Sequence, residues 1–303
     1  MKNEKKILIV GGTGFIGYHL AKKCIKIGWQ VTSVSSKSPS KKRRLRKVKY
    51  IISDITKKNI LKKRVNNYYN YIVNLGGYVD HLNKNKTFKS HYIGCKNITE
   101  IFFNKKPLAF VQMGSSGEYG RSKSPQHENS KCNPQLIYGQ AKLLASKYLI
   151  KIFKKKKFPV IVLRLYQAYG PKQDLNRLIP IVINACIKNK KFPCSDGKQA
   201  RDFLYIDDVV NAIIKALKSK KAIGQIINIG TGKPKKIKNI IKYIKKTLKG
   251  GDPQFGKIKL RRDEILKIYP NIKKAKKILN WKPKISFDKG LKLTIKSYNE
   301  QLV

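Results

Sequence analysis

Residues 7–17 read Ile-Leu-Ile-Val-Gly-Gly-Thr-Gly-Phe-Ile-Gly, an apolar run that passes straight into a glycine turn and then into an amphipathic stretch over 18–27. A short apolar segment near the N-terminus, followed by glycines at this spacing and a helical pattern, predicts the first strand, turn and helix of a dinucleotide-binding βαβ unit. Gly11 permits the tight turn. Gly14 lets backbone approach phosphate with no Cβ in the way, and Gly17 lets the helix pack close to the strand. The helix start at Thr13, Phe15 and Ile16 offers unpaired N–H groups and the positive end of a dipole to an anion.

The pattern continues in the same style. Apolar runs over 7–10, 30–35, 48–52, 71–75, 109–113 and 160–165 alternate with helical stretches, notably 91–103 and 138–153. Strands alternating with helices predict a parallel sheet covered on both faces, and right-handed crossovers make it a doubly wound α/β sheet of the Rossmann type. At 303 residues the chain can bury one large core or two modest ones. Residues 1–165 read as the nucleotide-binding domain, with 203–232 returning to it through a further strand over 225–229. Residues 166–202 and 233–303 read as a smaller mixed lobe for substrate.

Composition narrows the function classes. The formal net charge is +53, with Lys outnumbering Arg about six to one. Nucleic-acid binding is the sharp interpretation, but such a face concentrates Arg with interleaved aromatics, whereas here the lysines are spread over the whole chain. The charge therefore reads as compositional. No segment approaches the ~18 consecutive apolar residues of a membrane span, and the polar start leaves no room for a secretory leader. Five scattered cysteines without metal-ligand spacing read as free thiols. A cytoplasmic protein is the expectation.

The candidate chemistry lies at Tyr138-Gly-Gln-Ala-Lys142. Residues i and i+4 share one helix face. A phenol with a reference pKa near 10 becomes a usable base when a cation beside it stabilises the phenolate. The strand over 109–113 is followed by Gly-Ser-Ser-Gly-Glu-Tyr-Gly120, so Ser115 falls at the C-terminal end of the sheet, where ligands bind. Its hydroxyl can hold a substrate oxygen beside Tyr138.

Glycine turn, strand-end Ser and Tyr-xxx-Lys, in this order, resemble the extended short-chain dehydrogenase/reductase family of NAD(P)-dependent nucleotide-sugar epimerases, dehydratases and reductases. The resemblance extends to Asp54-Ile55, to Leu75-Gly76-Gly77, to Arg164-Leu-Tyr-Gln-Ala-Tyr-Gly-Pro171, to Arg201-Asp202-Phe203 with Tyr205-Ile-Asp-Asp-Val209, to Asn228-Ile-Gly-Thr-Gly232 and to Leu279-Asn-Trp-Lys-Pro283. It implies Tyr138 as general acid/base, Lys142 lowering its pKa and binding the nicotinamide ribose, and Ser115 orienting the same sugar oxygen. Asp54 and Ile55 would contact adenine, and Leu75, Gly76 and Gly77 would lie along the cofactor. Ser116, Gln167, Arg177, Arg201 and Arg261 would serve the nucleotide sugar, the arginines through their forked donors. Arg262 could take the place of Arg261 after a one-residue shift. The resemblance also implies a homodimer joined through the helices over 91–103 and 138–153, using Ile93, Ile98, Ile101, Leu144 and Leu149, and products destined for surface polysaccharide.

Departures from the family pattern narrow the reaction. An NAD enzyme places an acid at the end of the second strand for the ribose 2′-OH. Here Ser35, Ser36 and Lys37 stand there, followed by the basic run 41–44, which favours NADP over NAD. The Asp-Glu pair of sugar 4,6-dehydratases is replaced by Ser116 and Gly117, and Glu118 comes one position late, pointing away. Gly117 likewise occupies the place of the cysteine that the GDP-fucose synthases use for epimerisation. His91 replaces a common Asn and reads as a helix-start residue; Gln167 replaces another. Asp80 and His81 read as a loop pair. The expected activity is hydride transfer at C4 of a nucleoside diphosphate hexose, foremost as a 4-ketoreductase, alternatively as a UDP-glucose 4-epimerase-like enzyme. A non-catalytic nucleic-acid-binding or cofactor-sensing protein is the reading of another class, and it predicts loss of the catalytic set retained here.

Overall fold

The computed structural model describes residues 4–78, 83–260 and 264–300. Strands β1 (Lys6–Val10), β2 (Gln30–Ser35), β3 (Val48–Ile52), β4 (Tyr71–Asn74), β5 (Ala109–Ser115), β6 (Val160–Leu165) and β7 (Ile226–Ile229) form one sheet. Their spatial order is β3-β2-β1-β4-β5-β6-β7, and every neighbouring pair is parallel. Chain order reverses between β1 and β4, the switch point at which such sheets open a crevice for ligands.

The apolar strands are continuous because both faces of the sheet are covered. Ile7 and Ile9 of β1 join a core with α1 (Phe15–Lys26) and a helix over Ile206–Lys218. Leu8 and Val10 point the other way, into a core with α2 (Lys58–Arg64), α3 (Gly94–Phe102) and α4 (Ile137–Lys156). That second core takes Ile98, Ile101 and Leu149, so three of the five positions assigned above to a contact between copies are spent inside the molecule. Leu144 is exposed.

Two elements differ usefully from the sequence pattern. β5 runs to Ser115, two residues past the expected end, because Gly114 and Ser115 pair in register with Arg164 and Leu165 of β6. The helix expected over 91–103 enters through a π turn, Lys89–Ile93, before α3 begins. Such single-turn insertions re-aim side chains and concentrate at functional sites.

The remaining chain packs across the C-terminal edge of the sheet. Leu178–Ile187 lies against Ile237–Leu248 through Ile183, Cys186, Ile240, Ile241 and Ile244. Small strands pair there, Ala200–Arg201 with Lys235–Lys236 and Lys267–Ile268, and Gln167–Tyr169 with Phe203–Tyr205. Among the described residues, no helix is long and apolar enough to cross a membrane.

Candidate active site

A cavity of about 730 Å³ opens where the sheet meets this lobe. Gly11, Gly14, Phe15, Ile16 and Gly17 of the glycine turn, Leu75 and Gly77 after β4, Ser115, Ser116, Tyr138 and Lys142, and Gln167, Arg177 and Arg201 from the lobe all line it. Residues predicted from three distant stretches of sequence thus share one chamber.

The glycine turn is shaped by backbone. Gly11 has φ +79°, and a Cβ at Gly17 would lie 2.3 Å from the Gly11 carbonyl oxygen, so only glycine lets α1 start this close to the turn. Gly14 is the N-cap of α1 and no side chain caps the helix. The first-turn N–H groups therefore remain for an anion at the positive end of the helix. This fits the diphosphate of a dinucleotide.

Other residues assigned to the cofactor stand outside the cavity wall. Ser35 is buried, and its hydroxyl accepts from the Thr13 N–H at 3.3 Å, tying the end of β2 to the glycine turn. Ser36 and Lys37 are exposed beside it. Within the basic run, Arg43 is engaged elsewhere: it donates to the Lys172 carbonyl and pairs with Asp174 at 2.7 Å. Asp54 accepts from the Thr56 N–H at 2.8 Å. Ile55 packs in the core against Gly76 and Gly94, and the Gly76 N–H donates to Asn74.

The Lys142 ammonium is buried and donates to the Met113 carbonyl at 2.7 Å, lying 5.9 Å from the centre of the Tyr138 ring. A methyl group on Gly117 would stand 3.4 Å from the Ser115 hydroxyl and 3.5 Å from the Tyr138 ring. Hydroxyl and phenol ring therefore flank a space about one methyl group wide. Glu118 is fully buried, faces away from the cavity, and pairs with Arg164 at 2.8 Å. Burial alone would lower the Arg164 pKa, but Glu118 and Tyr119 outweigh it and hold it above its ordinary value.

On the lobe side, Gln167 and Arg177 are exposed at the cavity rim. Arg201 is largely buried and pairs with Glu264. Burial lowers its pKa, and Glu264 only partly restores it, so an anion replacing that carboxylate meets a poorly hydrated guanidinium. Arg261, Arg262, Asp80 and His81 lie outside the described residues.

Several wall residues were not singled out from the sequence. His91 was given a helix-start role, yet its ring lines the cavity and meets the Tyr138 ring edge-to-face at 5.0 Å. It rests where a Cβ on Gly77 would stand. Arg121, Gln135 and Glu264 also line the cavity. Arg121 carried a signal, since it directly follows the strand-end segment in a chain poor in Arg. Glu264 carried none.

A doubly wound sheet whose glycine turn, strand-end Ser115, half-buried Tyr138 and buried Lys142 line one chamber is the architecture of a nicotinamide-dependent enzyme. The comparisons with known proteins agree. The model of the NAD dependent epimerase/dehydratase family matches residues 7–230. A Methanocaldococcus jannaschii protein named as a UDP-glucose 4-epimerase is 30% identical over 301 residues, covering 95% of this chain and 97% of its own. The CDP-abequose synthase of Salmonella muenchen is 29% identical over 327 residues, 95% of this chain and 96% of its own. The solved UDP-glucose 4-epimerase of Thermotoga maritima, bound to UDP-glucose, superposes with a TM-score of 0.93 at 26% identity, covering 98% of this chain and 100% of that one. The chain belongs to the NAD dependent epimerase/dehydratase family.

Proposed function

We propose that this enzyme transfers hydride at C4 of a nucleoside diphosphate hexose, foremost as a 4-ketoreductase using NADP. The observation that carries the proposal is that Ser115, Tyr138 and Lys142 line one chamber with the uncapped start of α1. A nicotinamide dinucleotide bound along Gly11–Gly17 would supply or accept the hydride. Ser115 holds the sugar C4 oxygen, Tyr138 delivers or removes its proton, and Lys142 favours the phenolate through its charge. Arg177, Arg201 and Arg261 receive the diphosphate of the substrate, and Gln167 offers an amide to it.

The preference for NADP rests on Ser35, which stands where an acid would repel a 2′-phosphate. With Arg43 committed to Asp174, the missing acid carries the argument and the basic run adds little. A 4-epimerase is the second reading, favoured by the likeness to UDP-glucose 4-epimerases. A cytoplasmic homodimer completes the proposal; Leu144 is exposed on α4 for such a contact, and sedimentation measures it.

Mass spectrometry of the acid-released cofactor, with NADPH and NADH titrations and a panel of UDP-glucose and 4-keto-6-deoxy nucleotide sugars, tests the reading. An empty site that prefers NADPH and reduces a keto sugar is the expected result. Retained NAD with interconversion of UDP-glucose and UDP-galactose establishes the epimerase instead. Turnover that survives in Tyr138→Phe refutes both.

A further inference from the structure

We infer that Glu118 is a positioning residue for this reaction: one buried carboxylate holds the strand end that carries Ser115 and the helix that carries Tyr138 and Lys142 in fixed relation. The inference rests on the reading of those three residues as the catalytic set.

Three elements meet on the Glu118 carboxylate. The Ser115 N–H donates to Oε1 at 2.9 Å. The Ser146 hydroxyl donates to Oε2 at 2.8 Å, and the Arg164 Nε–H donates to the same oxygen at 2.8 Å. Ser146 lies four residues beyond Lys142 and eight beyond Tyr138, on the same face of α4. The carboxylate thus grips the strand end of β5, the helix with the general acid/base, and strand β6 together.

The surroundings make the grip stiff. Glu118 and Ser146 are fully buried and Arg164 is 2% exposed. A Cβ on Gly139 would lie 2.4 Å from the Gly117 carbonyl oxygen, so the first turn of α4 is pressed directly onto the turn over Ser116–Glu118. That turn also aims the Ser115 hydroxyl, which accepts from the Gly117 N–H at 3.1 Å. Behind it, Arg164 stacks on Tyr119 at 4.4 Å, and the Tyr119 hydroxyl donates to Asn228 of β7 at 2.6 Å.

The choice of residue follows from donor counting. An ionised carboxylate is acceptor-only, and it can take all three donors while neutralising Arg164. A glutamine has one acceptor oxygen, and its amide N–H₂ must face at least one of those donors. A donor left without an acceptor in so buried a setting is costly. Since Glu118 faces away from the cavity, it acts through the geometry of Ser115 and Tyr138, where a misplacement of about 1 Å costs on the order of 10²-fold in rate.

Two variants test this. Ser146→Ala removes the tie to the helix while leaving the ion pair and the Ser115 contact in place; Glu118→Gln leaves the acceptor set incomplete. Each is compared with wild type for kcat and KM on the nucleotide-sugar panel above, for thermal midpoint, and for the pH titration of tyrosinate absorbance referenced to Tyr138→Phe. We expect Ser146→Ala to fold, to lose kcat by about tenfold with KM unchanged, and to displace the Tyr138 titration. Glu118→Gln should lose about 10²-fold in kcat. A purely structural role would lower the thermal midpoint and leave kcat and the titration untouched in folded protein, which would overturn the inference. If Glu118→Gln fails to fold, Ser146→Ala alone decides. Wild-type turnover in Tyr138→Phe would sink the catalytic reading itself, a result independent of either Glu118 variant.

Discussion

The ammonium of Lys142 donates to the carbonyl of Met113 at 2.7 Å, two residues before Ser115 on the same strand. The cation 5.9 Å from the centre of the Tyr138 ring is thereby fixed by the strand that ends in the Ser115 hydroxyl. Helix and strand are brought together through a buried charge that also lines the cavity.

Replacing Lys142 with Met keeps the volume of the stem and removes the charge. The Met113 carbonyl loses its donor, and Tyr138 loses the cation beside its ring. Turnover should fall by about 10²–10⁴-fold, the usual contribution of a positioned acid/base. Turnover within about tenfold of wild type would show that Lys142 does not serve the reaction.

On the proposed reading, the end of β2 governs the choice between NADPH and NADH. Ser35 is buried against the Thr13 N–H, and an aspartate there can accept the same hydrogen bond. Ser35→Asp places a carboxylate where a 2′-phosphate would lie, and like charges in a half-buried site repel by an amount worth at least tenfold in affinity. The ratio of NADPH to NADH dissociation constants should move toward NADH by that factor. An unchanged ratio would mean that the adenosine ribose lies elsewhere.

Much of this arrangement was legible before any coordinates. The glycine turn and the Tyr138–Lys142 spacing are local patterns, each fixed by residues within a helical turn or two of one another, and the parallel sheet follows from the alternation of strands with helices. The position of Glu118 one residue late, and hence its turn away from the cavity, could also be read. What it binds could not, because Ser146 and Arg164 lie 28 and 46 residues away and meet it only through the sheet order. The same limit hid the fate of Arg43, a cation suited to phosphate by its place in the chain but taken by Asp174 and the Lys172 carbonyl 129 residues further on. His91 escaped for a different reason: periodicity placed it at a helix start, and the π turn Lys89–Ile93 then put its ring against Tyr138.

The joint between α1 and the chain that follows β6 should respond to acid. His19 donates from Nε2 to the Pro171 carbonyl at 2.9 Å, beside Gln173 and Asp174, which line the cavity. Burial lowers its pKa below the ordinary value of 6.5; the Pro171 contact and Asp207 pull the other way without compensating. A base whose folded pKa is depressed takes up its proton more readily in the unfolded chain. Its effect on stability is therefore absent above pH 6.5 and grows as pH falls below it, with a limiting slope of about 1.4 kcal/mol per pH unit until the folded state also protonates. For a chain of this size, each kcal/mol lowers the melting temperature by roughly 2–4 °C. His19→Gln keeps a donor for Pro171 and does not titrate, so its melting temperature should fall less than that of wild type between pH 7 and pH 5. Parallel melting curves for the two proteins over that range would show instead that the loss of stability in acid arises from other groups.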